Sequence, residues 1–172
     1  MQPVPMERTT FYSLSDEQLG YACMEPTFMK IRAKSPAVKN EAIAQLSRGQ
    51  RALCMFRILY DHSSKSAEEY YGWLSYLLDQ PGYWSGVLEG LQFFEDAPLI
   101  HLLEESKELF EARNLRAGTG WDEAAITDLE ADPELQEAVA TLYAQYQELT
   151  PHSLRIIAGY IRANPDEFIV FR

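Results

Sequence analysis

Between Ala117 and Leu154 the chain runs through 38 positions without a lysine or arginine, while Asp122, Glu123, Asp128, Glu130, Asp132, Glu134, Glu137 and Glu148 fall in the same stretch. Acids and bases ordinarily intersperse on a folded surface, because like charges held together oppose the compact state. A surface of one sign therefore points to a partner of the other sign. The shortage of bases argues against nucleic acid as a direct ligand and against an anionic membrane, since both need a surplus of lysine and arginine. Cysteine is scarce too: Cys23 and Cys54 are the only two, neither in a C-x-x-C spacing, so a disulfide framework is excluded and a reducing compartment is the simpler reading. No apolar run approaches the roughly 18 to 20 residues of a membrane span. The start Met1-Gln2-Pro3-Val4-Pro5-Met6-Glu7-Arg8 has no apolar signal core, so a cytoplasmic protein is expected. Gly-x-Ser-x-Gly, His-Glu-x-x-His, a phosphate loop and a dinucleotide fingerprint are all missing.

What is present is enough to fold. The 172 residues are 47% hydrophobic and 12% aromatic, far too apolar for a disordered acidic chain, and the length suits one domain with a continuous core. The net charge of −11 is unevenly divided: the first 65 residues sum to +3 and the remainder to −14.

Helix starts are written as a capping residue followed by proline at Ser35-Pro36, Asp132-Pro133 and Thr150-Pro151, with a variant at Asp96-Ala97-Pro98 and a capping box at Ser66-Ala67-Glu68-Glu69. Leu135, Val139, Leu142, Tyr146 and Leu149 recur at helical spacing, as do Leu99, Leu102, Leu103, Leu109 and Phe110. Helices are expected over Ala67–Asp79, Tyr83–Phe94, Ala97–Leu115, from Pro133, and over Thr150–Ala163. Ser35–His62 reads as one helix with a break near Ser47-Arg48-Gly49, whose second half, Leu53–Tyr60, belongs at the centre of the core. The stretch 117–131 reads as a loop or frayed turn, and Phe168–Phe171 is ambiguous. The expected fold is all-α, a single-domain bundle of six to eight helices over residues 35–172, with residues 1–34 as an N-terminal arm or short helix.

Candidate chemistry is thin. Asp128-Leu129-Glu130-Ala131-Asp132-Pro133-Glu134 alternates acids as a calcium loop does, but the sixth and twelfth places hold Pro133 and Val139 instead of glycine and glutamate. His101 with Glu104 and Glu105 reverses the Glu-x-x-His order of carboxylate-bridged metal bundles, and there is no second copy. No metal or cofactor is expected. Tyr70, Tyr71, Trp73, Tyr76, Tyr83, Trp84, Phe93 and Phe94 are at helical spacing and are read first as core. The acidic rows are the best candidate: Glu104, Glu108 and Glu111 line one helix stripe, and carboxylates at i and i+4 stand about 6 Å apart along the axis, like a line of duplex phosphates.

The segment Tyr70-Tyr71-Gly72-Trp73-Leu74-Ser75-Tyr76 resembles a box in a bacterial helical family of unknown function that includes an acidic DNA-mimic protein. Gly72, Trp73 and Tyr76 fit an Asn-Gly-Gly-aromatic pattern followed by glutamine and an aromatic, whereas Tyr70, Tyr71 and Ser75 depart from it. Asp79-Gln80-Pro81-Gly82, Leu88-Glu89-Gly90-Leu91, Leu102-Leu103-Glu104-Glu105 and Tyr160–Phe168 continue the similarity, which spans residues 50–170. The resemblance implies an all-helical fold, dimerisation, and an acidic surface that occupies the DNA-binding face of a regulator.

Together these readings favour a non-enzymatic module in which Glu104, Glu108, Glu111, Asp122, Glu123, Asp128, Glu130, Asp132, Glu134 and Glu137 bind a basic protein, such as a DNA-binding regulator. The rival is a small-ligand binder or enzyme that uses the aromatic cluster and His101 as a pocket, for which a concave apolar cavity would be the sign. A third is a self-associating structural protein that assembles through its N-terminal arm.

Overall fold

Serine and aspartate side chains cap the starts of α-helices at Ser15, Ser47, Ser66, Asp96 and Asp132 in the computed structural model, which describes residues 3–172. Strand β1 (Val4–Met6) leads into α1 (Arg8–Ser13) and α2 (Asp16–Ile31), the latter opened by a Ser15–Gln18 capping box. Next come α3 (Pro36–Ala44), α4 (Arg48–Ser63), α5 (Ala67–Asp79), α6 (Tyr83–Phe93) and α7 (Ala97–Ala117). A 3-10 turn (Trp121–Glu123) and α8 (Thr127–Ala131) precede the long α9 (Pro133–Ala163), then α10 (Pro165–Phe168) and β2 (Ile169–Phe171). The fold is all-α apart from one two-stranded parallel sheet, in which Val4 faces Ile169 and Met6 faces Phe171. Among the described residues no helix is long and apolar enough to cross a membrane.

Several elements differ from the sequence reading. The break in Ser35–His62 falls at 45–47, where Ser47 and Gln50 form a capping box that starts a new helix, and Gly49 lies inside that helix. Gly49 is there for another reason. The Glu167 carboxylate accepts the Gly49 N–H at 2.8 Å and bonds the Ser47 hydroxyl, and a Cβ at Gly49 would meet that carboxylate at 2.6 Å. The Tyr160 hydroxyl donates to its other oxygen at 3.0 Å, so the start of α4 is capped by a side chain far along the chain.

Thr150-Pro151 does not begin a helix; α9 runs straight through it for 31 residues. Pro151 removes one backbone donor, but Pro151 and Gln147, whose carbonyl loses that bond, are both exposed and open to water, while Val139, Leu142, Tyr146, Ile157 and Ile161 keep one buried stripe across the junction. The stretch 117–131 contains the 3-10 turn and α8, anchored by buried Leu129. The N-terminal segment expected as an arm or short helix holds β1, α1 and α2, and Phe11, Leu19, Cys23 and Met24 enter the common core. Arg162 of α9 holds it there, donating to Asp16 at 2.6 Å and to the Leu14 carbonyl at 3.1 Å.

Helix α4 is the centre, and Ala52 through Arg57 are all buried. Its most extensive packing is on α6, at a separation so small that a Cβ on Gly90 would meet the Ala52 carbonyl oxygen at 3.0 Å. Around α4 the buried phenols find partners: Tyr146 and Ser63 at 2.8 Å, Tyr70 and Ser106 at 2.7 Å.

Candidate functional site

The ten carboxylates singled out by sequence fall into two groups. Glu104, Glu108 and Glu111 on α7, Asp122 and Glu123 in the 3-10 turn, Glu130 on α8, and Glu134 and Glu137 at the start of α9 are exposed. Among the described residues none of these eight makes an ion pair with a lysine or arginine. Glu123 does accept the Gly120 N–H at 2.9 Å.

Asp128 and Asp132 do internal work instead. Asp128 accepts from the Tyr71 hydroxyl at 3.0 Å and the Ala125 N–H at 3.1 Å, and pairs with Arg113 at 3.3 Å. Asp132 caps α9 through the Leu135 N–H at 3.0 Å. Burial, with Asp128 second, pushes the Tyr71 phenol up to about 12, so that hydroxyl remains a donor. Among the described residues no three His, Cys, Asp or Glu side chains are grouped so as to hold a metal ion.

The aromatic cluster divides as well. Tyr70, Tyr71 and Phe94 are core. Trp73, Tyr76 and Tyr83 instead line a cleft of about 530 Å³ between α2, α3, α4, α5 and the start of α6, with Tyr21, Phe28, Met29, Ile43, Ile58 and His62 completing its apolar and aromatic wall. The volume lies within the range of small-molecule pockets. Trp73 is fixed by its indole N–H, which donates to the Ile58 carbonyl at 2.8 Å, and its ring stacks on His62 at 3.8 Å and on Tyr76 at 4.8 Å. His101 is exposed on α7 and takes no part.

Arg57 supplies the polar element. It is 3% exposed, it lines the cleft, and it pairs with Asp61 one turn on. Its guanidinium carbon lies 5.4 Å from the Tyr21 ring centroid and 5.3 Å from that of Tyr60. Asp61 engages Nη2; among the described residues Nε and Nη1 have no hydrogen-bond partner. Burial lowers the His62 pKa, and Lys65 lowers it further, so the stacked imidazole is neutral at neutral pH. Arg32, Lys39 and Arg57 outnumber Glu25 and Asp61 around the cleft, in keeping with the basic excess of residues 35–65.

Sequence reasoning passed over Arg57, although one arginine inside the apolar run Leu53–Tyr60 was a visible signal, since a buried cation needs a reason. Tyr21 and Met29 had no such mark, because their joint position depends on how α2 crosses α4. The comparisons with known proteins find no family model, no curated protein and no solved structure that matches this chain.

Proposed function

We propose that the chain is a protein-binding module whose carboxylates on α7, the 3-10 turn, α8 and the first turns of α9 receive a basic surface of the kind a DNA-binding protein offers. The observation behind this reading is the set of eight exposed carboxylates without a cationic partner, beside a stretch of 38 positions that contains no lysine or arginine. Repulsion within such a set is a standing cost to the fold, which a basic partner would relieve. The resemblance to the helical family with a DNA-mimic member leads the same way.

Attraction of this type weakens as the screening length falls from about 10 Å at 0.1 M salt to about 3 Å at 1 M. The test is capture of DNA-binding proteins from a host lysate at those two salt levels, with competition by the captured protein's own operator DNA. The fourfold variant Glu108→Lys, Glu111→Lys, Glu130→Lys and Glu137→Lys is run alongside. The reading expects salt-sensitive capture that operator DNA competes away and that the variant loses with its circular dichroism unchanged. Capture that survives the charge reversal overturns it.

A further inference from the structure

Three features of the Arg57 cleft have no account in a surface that binds a basic protein. The first is where the apolar exposure lies: Tyr21, Met29 and Tyr76, which are 45%, 64% and 43% exposed, are three of the protein's exposed large hydrophobic residues, and all three line this one cleft. Water is a poor occupant for such walls, and a flat apolar body would cover them. The second is that an arginine 97% buried leaves two of its three nitrogens without a hydrogen bond among the described residues, a cost that Asp61 and the rings of Tyr21 and Tyr60 offset only in part. The third is the sign of the charge, since Arg32 and Lys39 join Arg57 around the cleft and exceed Glu25 and Asp61 by one, in a protein of net charge −11.

We propose that this cleft is a binding site for a small planar aromatic carboxylate, whose ring lies against Trp73, Tyr76 and Tyr83 and whose carboxylate faces Arg57 and the Lys39 side of the opening. A guanidinium with free N–H groups prefers an oxyanion over a neutral oxygen, and the bond strengthens where water is excluded. Tyr21 is the movable part. Its ring covers the guanidinium and also borders the smaller hollow formed with Leu14, Glu17, Gln18 and Ala22, so turning it toward that hollow bares Arg57 to the cleft. Asp61 keeps Nη2, so the incoming carboxylate has Nη1 and Nε as its donors. The rigid floor is Trp73, held to the Ile58 carbonyl. A cationic ligand in the same aromatic setting would face three bases against the two acids Glu25 and Asp61, an excess of one positive charge that disfavours it. The cleft shares no residue with the carboxylates of the proposed protein-binding face, so the two sites stand or fall separately.

The test is a titration followed by nitrogen–proton correlation spectra, in which the Trp73 indole N–H and the Arg57 Nε–H give their own signals. The probes are 2-naphthoate, 2-naphthamide and 2-naphthylmethylammonium, matched in ring and different in charge. The expected result is that 2-naphthoate shifts both signals with a Kd below about 1 mM and binds about tenfold or more tightly than the amide, while the ammonium probe binds least. Arg57→Gln should remove the preference for the acid over the amide. Should that variant fail to fold, Lys39→Glu on the short helix α3 carries the test, and is expected to weaken 2-naphthoate several-fold while leaving 2-naphthamide unchanged. Equal binding of acid and amide would reduce the cleft to an apolar groove, preferential binding of the ammonium would make it a cation cage, and absence of binding by all three would leave no site. Each of these outcomes overturns the proposal.

Discussion

Among the buried serines, Ser63, Ser75 and Ser106 differ in what their hydroxyls meet. Ser63 bonds the Leu59 carbonyl at 2.7 Å and stands 2.8 Å from the Tyr146 hydroxyl; Ser106 bonds the Leu102 carbonyl at 2.8 Å and stands 2.7 Å from the Tyr70 hydroxyl. Ser75 is 2% exposed and its hydroxyl has no hydrogen-bond partner among the described residues. Removing one partner of a buried hydrogen bond forfeits that bond, whereas removing an unpartnered hydroxyl forfeits none. Tyr146→Phe is therefore expected to cost about 1 kcal/mol in urea unfolding, and Ser75→Ala to be neutral or to gain up to about 1 kcal/mol. The reverse order would mean that the Ser75 hydroxyl has a partner and the Tyr146 hydroxyl needs none.

For the elements, the join between the last turns of the chain and the start of α4 is the contact most open to test. Glu167 serves the Ser47 hydroxyl, the Gly49 N–H and the Tyr160 hydroxyl, while its own carbonyl accepts from the Gln50 side chain at 2.7 Å. Glu167→Ala should lower stability by about 2 kcal/mol, more than an ordinary N-cap loss, because it unpairs groups on α9 as well as on α4. A loss below about 0.5 kcal/mol, the usual surface value, would show that water replaces the carboxylate without penalty. Nothing local announces this contact. Capping residues made Ala67–Asp79 and Ala97–Ala117 readable, because their signals lie within three residues of the helix start. The break near Ser47-Arg48-Gly49 is present, centred two residues earlier at 45–47 with Gly49 inside α4, whereas Thr150-Pro151 has the form of a helix start but lies within α9, where solvent exposure of Pro151 and Gln147 removes the cost of the lost bond.

At the scale of the whole molecule, burial fixes the alkaline limit. It pushes the thiols of Cys23 and Cys54 up to about 12, does the same for the Tyr71 phenol, and lifts Tyr70 and Tyr146 above the ordinary phenol range. A raised pKa in the folded state means that the unfolded chain loses its proton first, so stability is full below the unfolded values, near 9 for the thiols and 10 for the phenols, and falls as pH rises above them. Urea midpoints should hold steady up to about pH 8.5 and decline progressively from about 9 to 12. A midpoint unchanged at pH 11 would contradict that placement of the five groups. The two candidate sites were unequally legible for a related reason. Charge on exposed helix faces is a property of the chain, and eight of the ten acids are exposed as read, while Asp128 and Asp132 turn inward to Tyr71 and to the cap of α9. The cleft needs side chains from five helices at once, and periodicity within each helix says which face is apolar but not which faces stop short of touching.

The pairing of Val4 with Ile169 has a consequence for the order of events in time. That ladder joins the N-terminal segment to the last residues of the chain through only three facing residue pairs, once α2 and α9 have already been brought together by Arg162 and their packing. Such a join forms after the bundle and opens before it. Glu167 lies two positions before β2 with buried Phe168 and Ile169 next to it, so a strand that peels back past Ile169 is expected to loosen the carboxylate from Gly49 and leave the start of α4 without its distant cap.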